Sequence, residues 1–246
     1  MSQAYQERLC LFLDILGFSS LVKNQKCNVV LNVIREIKRE LKSNKEYMDQ
    51  IGTEPIATTF SDCIVLSLEP KATNIEKAAN ILVTATVKML QDTYLNQEVS
   101  LRGGISYGEL YHKSDGVFGP AMIKAYELES QFADWPRVIF DKSVIAHFKD
   151  KKGLPSIGFT NYGDGFWGVD CLNRIEDVLN REVQRCLDSE AARDNLGKLF
   201  KISEITQAKL SEHYGNPKVY SKYLMLNERV YSLLKKHQQI PITFDN

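Results

Sequence analysis

The sequence predicts an α+β sandwich, with helices packed on one face of a mainly antiparallel sheet and a helical extension at the C-terminal end. Three observations carry this. Strand-length apolar runs and helix-period segments follow one another in the order strand, helix, hairpin, helix, strand, helix, strand, which is the pattern of a sheet with segregated helices. The 246 residues are 43% hydrophobic and 25% charged, ordinary globular usage and enough for one principal domain plus an elaboration. Beyond about Asn173 the texture changes to charged amphipathic helices.

RLCLFLDIL (8–16) reads as a strand buried on both faces, ended by Gly17 and by the Ser19-Ser20 pair, which can cap a following helix. Val29, Val30, Val33, Ile34, Ile37 and Leu41 recur at helical spacing. Gly52 and Pro55 punctuate, and PIATTF and CIVLSL, on either side of Ser61-Asp62, read as a hairpin. A long helix from Asn74 to Tyr94 carries Ile75, Ala78, Ala79, Leu82, Ala85, Met89 and Leu90 inward. VSLRGGISYGELY is a strand, and glycine inside a strand marks the close approach of another backbone or a ligand. Gly119-Pro120 opens a helix to about Phe132, and RVIF and GFWGVDCL are further strands. NRIEDVLNREVQRCL and SKYLMLNERVYSLLKKH are helices separated by Gly197 and by GNP at 215–217, placing the principal domain at 1–172 and the helical extension at 173–246.

Lysine plus arginine equals aspartate plus glutamate at 31 each, so no global field favours nucleic acid. No stretch approaches the roughly 18 apolar residues of a membrane span, and MSQAYQERLC lacks a signal-peptide core, so a cytoplasmic protein is expected. Cys10, Cys27, Cys63, Cys171 and Cys186 are odd in number and scattered, which indicates free thiols and no zinc site. The four histidines show no ligand spacing.

Asp14 is the one charge inside LFLDILGFSS, and an unpaired buried carboxylate is costly. Asp62 sits in the hairpin turn. Taken singly, each is at home as a turn residue. If their strands are neighbours, the two carboxylates converge, and hard oxygen ligands side by side suit magnesium or manganese. The LGFSS that follows offers backbone N–H groups at a helix start, a phosphate site.

LFLDILGFSS, TTFSDCIVLS, LRGGISYGEL and VFGPAMIKAYELES together resemble, in order and approximate spacing, the catalytic domain of the class III nucleotidyl cyclases over residues 9 to about 172. The resemblance implies a ferredoxin-like cyclase sheet in which Asp14 and Asp62 bind two Mg2+ or Mn2+ ions and the carbonyl of Ile15 completes a shell. It also implies that amides of Ile15, Leu16, Gly17, Phe18 and Ser19 hold a triphosphate, and that a homodimer shares its active sites between subunits.

The departures from that family matter equally. Thr58 stands where purine cyclases carry a base-reading lysine or glutamate, and the second base-reading position falls near Gly116 or Asp115. The transition-state Asn and Arg fall near Ile123 and Glu127, so that pair is missing. Either the domain is inactive, or it belongs to a subfamily with another base. The pattern is similar to the Pycsar pyrimidine cyclases of bacterial anti-phage defence, which implies conversion of UTP or CTP to the cyclic monophosphate. A purine cyclase and a non-catalytic nucleotide-binding module are the alternatives. Arg102 is the first candidate for a phosphate or base contact, its other reading being a strand-edge arginine paired with a carboxylate. Lys124 is a candidate for the phosphates or a solvated helix lysine. Thr58 offers a hydroxyl to a pyrimidine edge or is an ordinary β-branched strand residue. Tyr107 and Phe60 stack in the pocket or belong to the core.

Overall fold

The computed structural model describes residues 4–25, 27–50, 55–70, 75–147, 159–184 and 189–237, with the backbone alone described at 40–50 and 183–184. Gly52, Asn74 and Cys186 lie outside these residues. The first strand β1 (Gln6–Ile15) leads through α1 (Phe18–Asn24) and α2 (Cys27–Gln50) to the hairpin β2 (Ile56–Phe60) and β3 (Cys63–Leu68). Then follow α3 (Ile75–Gln97), β4 (Leu101–Lys113), β5 (Gly116–Phe118), α4 (Pro120–Phe132), β6 (Val138–Phe140), α5 (Lys142–Ile145), β7 (Thr160–Asn161) and β8 (Trp167–Val169). Three helices complete the chain: α6 (Asn173–Gln184), α7 (Glu190–Glu212) and α8 (Pro217–His237).

The strands form one sheet in the order β2-β3-β1-β4-β6-β8-β7, with β5 paired to β4. Every pairing is antiparallel except β4 with β6. β1 is central and buried from Arg8 to Leu13, so each of its faces must be covered. Leu9, Leu11, Leu13 and Ile15 point into the main core with α3 and with residues of α2, α6, α7 and α8. Cys10 and Phe12 point the other way, against Ala121 and Ala125 of α4. The α+β architecture is therefore as expected, but one helix, α4, takes the opposite face, because a strand buried on both sides needs a second cover. Gly104 makes that cover possible: a Cβ there would stand 2.4 Å from the Ala125 carbonyl oxygen. Glycine in β4 thus marks the approach of another backbone.

Two local expectations are corrected. Ser19 and Ser20 lie inside α1; its N-cap is Gly17, held at φ 79, a left-handed turn that glycine adopts without penalty. Gly197 does not separate helices, because α7 runs unbroken through it and buries Ala192, Leu196, Leu199 and Ile202. The break at 215–217 does fall between α7 and α8, with Pro217 opening the latter. Cys10, Cys27, Cys63 and Cys171 are free thiols.

The last helix is clamped to the sheet by a buried ion pair. Arg229 Nε of α8 lies 2.6 Å from Asp170, whose side chain is fully buried, and Arg229 also reaches Glu176 at 3.0 Å. Among the described residues no helix is long and apolar enough to cross a membrane.

Candidate active site

Register brings the two predicted carboxylates together. In the antiparallel pairing of β1 with β3, Asp14 stands opposite Cys63, so the residue before Cys63, Asp62 in the two-residue turn, falls beside the end of β1. Ser61 takes φ 53 to close this turn, and the Ile15 amide donates to the Asp62 carbonyl at 3.2 Å. Ligand atoms of Asp14, Asp62 and Cys63 all lie within 4.8 Å of one another, each residue half-buried.

The charges around them explain how Asp14 is tolerated. Arg102, opposite Asp14 on β4, donates from Nε to its Oδ2 at 3.2 Å and reaches Glu129 Oε1 of α4 at 2.7 Å. A third contact runs from Arg102 to the Ala133 carbonyl at 3.3 Å. Burial raises the Asp14 pKa above the usual carboxylate range, Arg102 opposes the rise, and Asp62 adds to it. Glu129 is raised in the same way, by burial first, with Arg102 again opposing. A cation from a distant part of the chain joins them: Lys222 of α8 acts on both Asp14 and Glu129 and is itself lowered, by burial first and then by Arg102.

The donor set fits a hard divalent cation. Two carboxylates at ligand-sharing distance are oxygen donors of the type magnesium and manganese take. Burial first, then Asp62 and Asp14, push the Cys63 thiol up to about 11, and a soft sulfur is a poor donor for a hard cation.

No protein-family model matches the sequence, and no curated protein matches it. Solved structures do. The adenylyl cyclase CyaB from P. aeruginosa is 16% identical and superposes at a TM-score of 0.51, covering 69% of this chain and 97% of that one. The fold is that of the class III nucleotidyl cyclases. The guanylate cyclase domain of RhGC from Catenaria anguillulae, solved with GTP, is 14% identical at a TM-score of 0.49, over 69% of this chain and 99% of that one. The adenylate/guanylate cyclase/hydrolase from Silicibacter pomeroyi is 21% identical at 0.43, over 66% and 95%.

On this cyclase fold the remaining candidates separate. Arg102 faces two carboxylates and a carbonyl, the arrangement of an ion-paired strand arginine. Of the amides proposed for the triphosphate, Ile15 donates to Asp62 and Leu16 donates to the Ser100 carbonyl at 2.9 Å. Both are therefore engaged by backbone, which leaves Gly17, Phe18 and Ser19. A cavity of about 410 Å3 opens beside Gly17, lined by Leu16, Ser20, Lys209, His213 and Lys222 among others. Lys124 is not brought to the Asp pair. It pairs with Glu127 at 3.5 Å and lines a separate cavity of about 450 Å3 with Phe140, Asp141 and Trp167. Asp115 accepts from the Tyr111 hydroxyl at 2.9 Å. Phe60 is 80% exposed at the hairpin tip, and the Tyr107 ring packs edge-on to His147.

Thr58 lies on the same sheet face as Asp14, since it pairs with Val65, which shares that face with Cys63. Its hydroxyl is 2.9 Å from His112 Nε2. Glu129, Lys222 and His112 were not singled out as site residues from the sequence. Glu129 had a signal: it stands four residues after Ala125, on the helix face that packs inward. For Lys222 and His112 there was none, because both act through contacts distant in sequence.

Proposed function

We propose that this chain is a pyrimidine nucleotide cyclase that converts UTP or CTP to the 3′,5′-cyclic monophosphate and pyrophosphate. The observation that carries the proposal is the convergence of Asp14 and Asp62, with ligand atoms within 4.8 Å, on a fold shared with an adenylyl cyclase. Thr58 supports the choice of base, because a neutral, short hydroxyl stands where a purine reader would be charged and long. The resemblance adds that the enzyme works as a homodimer with shared sites, making a second messenger for anti-phage defence.

In this reading Asp14 and Asp62 hold two Mg2+ or Mn2+ ions, whose contribution is to acidify the ribose 3′-hydroxyl and neutralise the phosphates. Arg102 and Glu129 orient the Asp14 carboxylate. Lys222 and the amides of Gly17, Phe18 and Ser19 flank the space for the polyphosphate, where positive charge favours the departing pyrophosphate. The 3′-oxygen bonds to the α-phosphorus as the bond to the β-phosphate breaks, in line.

Incubation with manganese and each of the four nucleoside triphosphates, followed by mass spectrometry, tests this. Cyclic UMP or cyclic CMP is expected. Cyclic AMP or cyclic GMP would make it a purine cyclase, and no cyclic product would leave a nucleotide-binding module.

A further inference from the structure

Four side chains from four strands form a chain of hydrogen bonds on the face that carries Asp14. Arg8 of β1 donates from Nε to Ser67 Oγ of β3 at 2.9 Å. Ser67 Oγ lies 2.8 Å from Nδ1 of His112 on β4, and His112 Nε2 lies 2.9 Å from Thr58 Oγ1 on β2. Arg8 and His112 are almost wholly buried and Ser67 entirely so. Arg8 is anchored at its far end by Glu69 at 3.1 Å.

Chemistry fixes the order of the protons. Arginine has only donors, so the Ser67 oxygen accepts. Among the described residues the Ser67 hydroxyl has one other partner, His112 Nδ1. If Nδ1 carried a proton, the Ser67 hydrogen would be buried with no acceptor, a costly arrangement. Ser67 therefore donates to Nδ1. The His112 ring is neutral near pH 7, because burial first and the Arg8 cation second lower its pKa to about 4. Its single proton is then on Nε2 and goes to Thr58 Oγ1. The Thr58 hydroxyl, whose oxygen has accepted, keeps its own hydrogen for something outside the protein. Thr58 is half-buried on an edge strand, and no other partner holds it among the described residues.

We propose that Arg8, Ser67 and His112 hold the Thr58 hydroxyl with its hydrogen free to donate, making it a specificity-determining contact for an acceptor atom on the base. For its ligand this rests on the cyclase reading above. Asp14 pairs with Cys63 and Thr58 with Val65, so Thr58 lies two strand spacings across and two residues along from Asp14, about 12 Å by sheet geometry. That leaves room for a nucleoside between metal and hydroxyl. Uracil and cytosine have opposite polarity at both ring positions that differ: uracil shows N3–H and O4, cytosine a bare N3 and an N4 amine. A hydrogen donated at either of these two positions suits one base and not the other, whereas the O2 that both bases share would give no discrimination. Contact at position 4 selects UTP, and contact at position 3 selects CTP.

Two measurements on the full chain test this. The first is 15N NMR of the histidine rings at pH 7. The second is calorimetric titration, with manganese, of the α,β-methylene analogues of UTP and CTP, whose leaving group cannot depart. We expect His112 neutral with its proton on Nε2, and one analogue bound at least about tenfold more tightly than the other. The isosteric Thr58→Val should bring that ratio to within about twofold, and Thr58→Ser should keep it. A proton on Nδ1, a charged ring, equal affinities in the wild type, or a ratio that survives Thr58→Val would each overturn the proposal. If neither analogue binds while His112 has its proton on Nε2, the cyclase reading fails and takes the ligand of Thr58 with it, while the proton order stands.

Discussion

Replacing Arg102 by methionine keeps most of the side-chain volume and removes the cation that, among the described residues, both Asp14 and Glu129 touch. The guanidinium lies 3.2 Å from Asp14 and 2.7 Å from Glu129, whose side chains are only 17% and 4% exposed. Breaking a buried pair by removing one partner costs about 3–5 kcal/mol, because a charge is left uncompensated. Here two carboxylates are left, so the upper part of that range is expected at pH 8. The fold already holds both pKa values above their ordinary ones, so between the ordinary and the raised value the folded state binds more protons than the unfolded one. In that window stability falls as pH rises. Arg102 is the first influence opposing the rise at both groups, so its removal extends the window upward, and the variant regains stability as pH falls and the carboxylates protonate. Urea melts at pH 8 and pH 5 should show a wild-type-to-variant gap of about 4 kcal/mol that shrinks markedly at pH 5. Arg102→Met with Glu129→Gln should recover part of the loss at pH 8. A gap below about 1 kcal/mol at pH 8, or an equal gap at both pH values, would refute the buried-cluster reasoning.

Gly197→Ala should stabilise the protein by about 0.5–1 kcal/mol in the same melts, since the residue is exposed inside α7 and a Cβ there meets nothing within 4 Å. Gly104→Ala should cost about 1–3 kcal/mol by forcing α4 away from β4, read as a lowered urea midpoint. Arg229→Met should cost about 3–5 kcal/mol, because Asp170 loses its 2.6 Å partner while fully buried; an unchanged thermal midpoint would show that α8 is not held by this pair. His112 should stay neutral in an NMR titration until about pH 4. Its lowered value favours the unfolded state as pH falls from the ordinary histidine value toward the folded one, so its share of stability is full above about 6.5 and lost on acidification.

The metal-site candidates were legible because they depend on short-range rules. An apolar strand run ending in Asp14, and a turn signal around Asp62, need only the two-residue period and hairpin chemistry to be placed, and neighbouring register did the rest. The placement of α4 on the second face was not legible: Ala121, Ala125 and Leu128 are too small or too few to show which side of the sheet they meet. Gly197 reads as a breaker on propensity, yet packing of Ala192, Leu196 and Leu199 overrides it. β5, β7 and α5 are too short to carry a periodic signal. Arg102 shows the limit at the site itself, because a ligand-binding arginine and an ion-paired one look identical until Glu129 of α4 is seen beside it. Lys222 lies on α8, and only the folding of α8 back toward β1 brings it within electrostatic reach of Asp14.

The central claim is that Asp14 and Asp62 jointly hold divalent cations beneath a nucleoside triphosphate. Manganese titration followed by electron paramagnetic resonance, with the UTP and CTP analogues present, tests it in wild type, Asp14→Asn and Asp62→Asn. The account predicts protein-dependent loss of the free manganese signal in wild type and its loss reduced at least about tenfold in affinity in each variant. Wild-type affinity in either variant would contradict it.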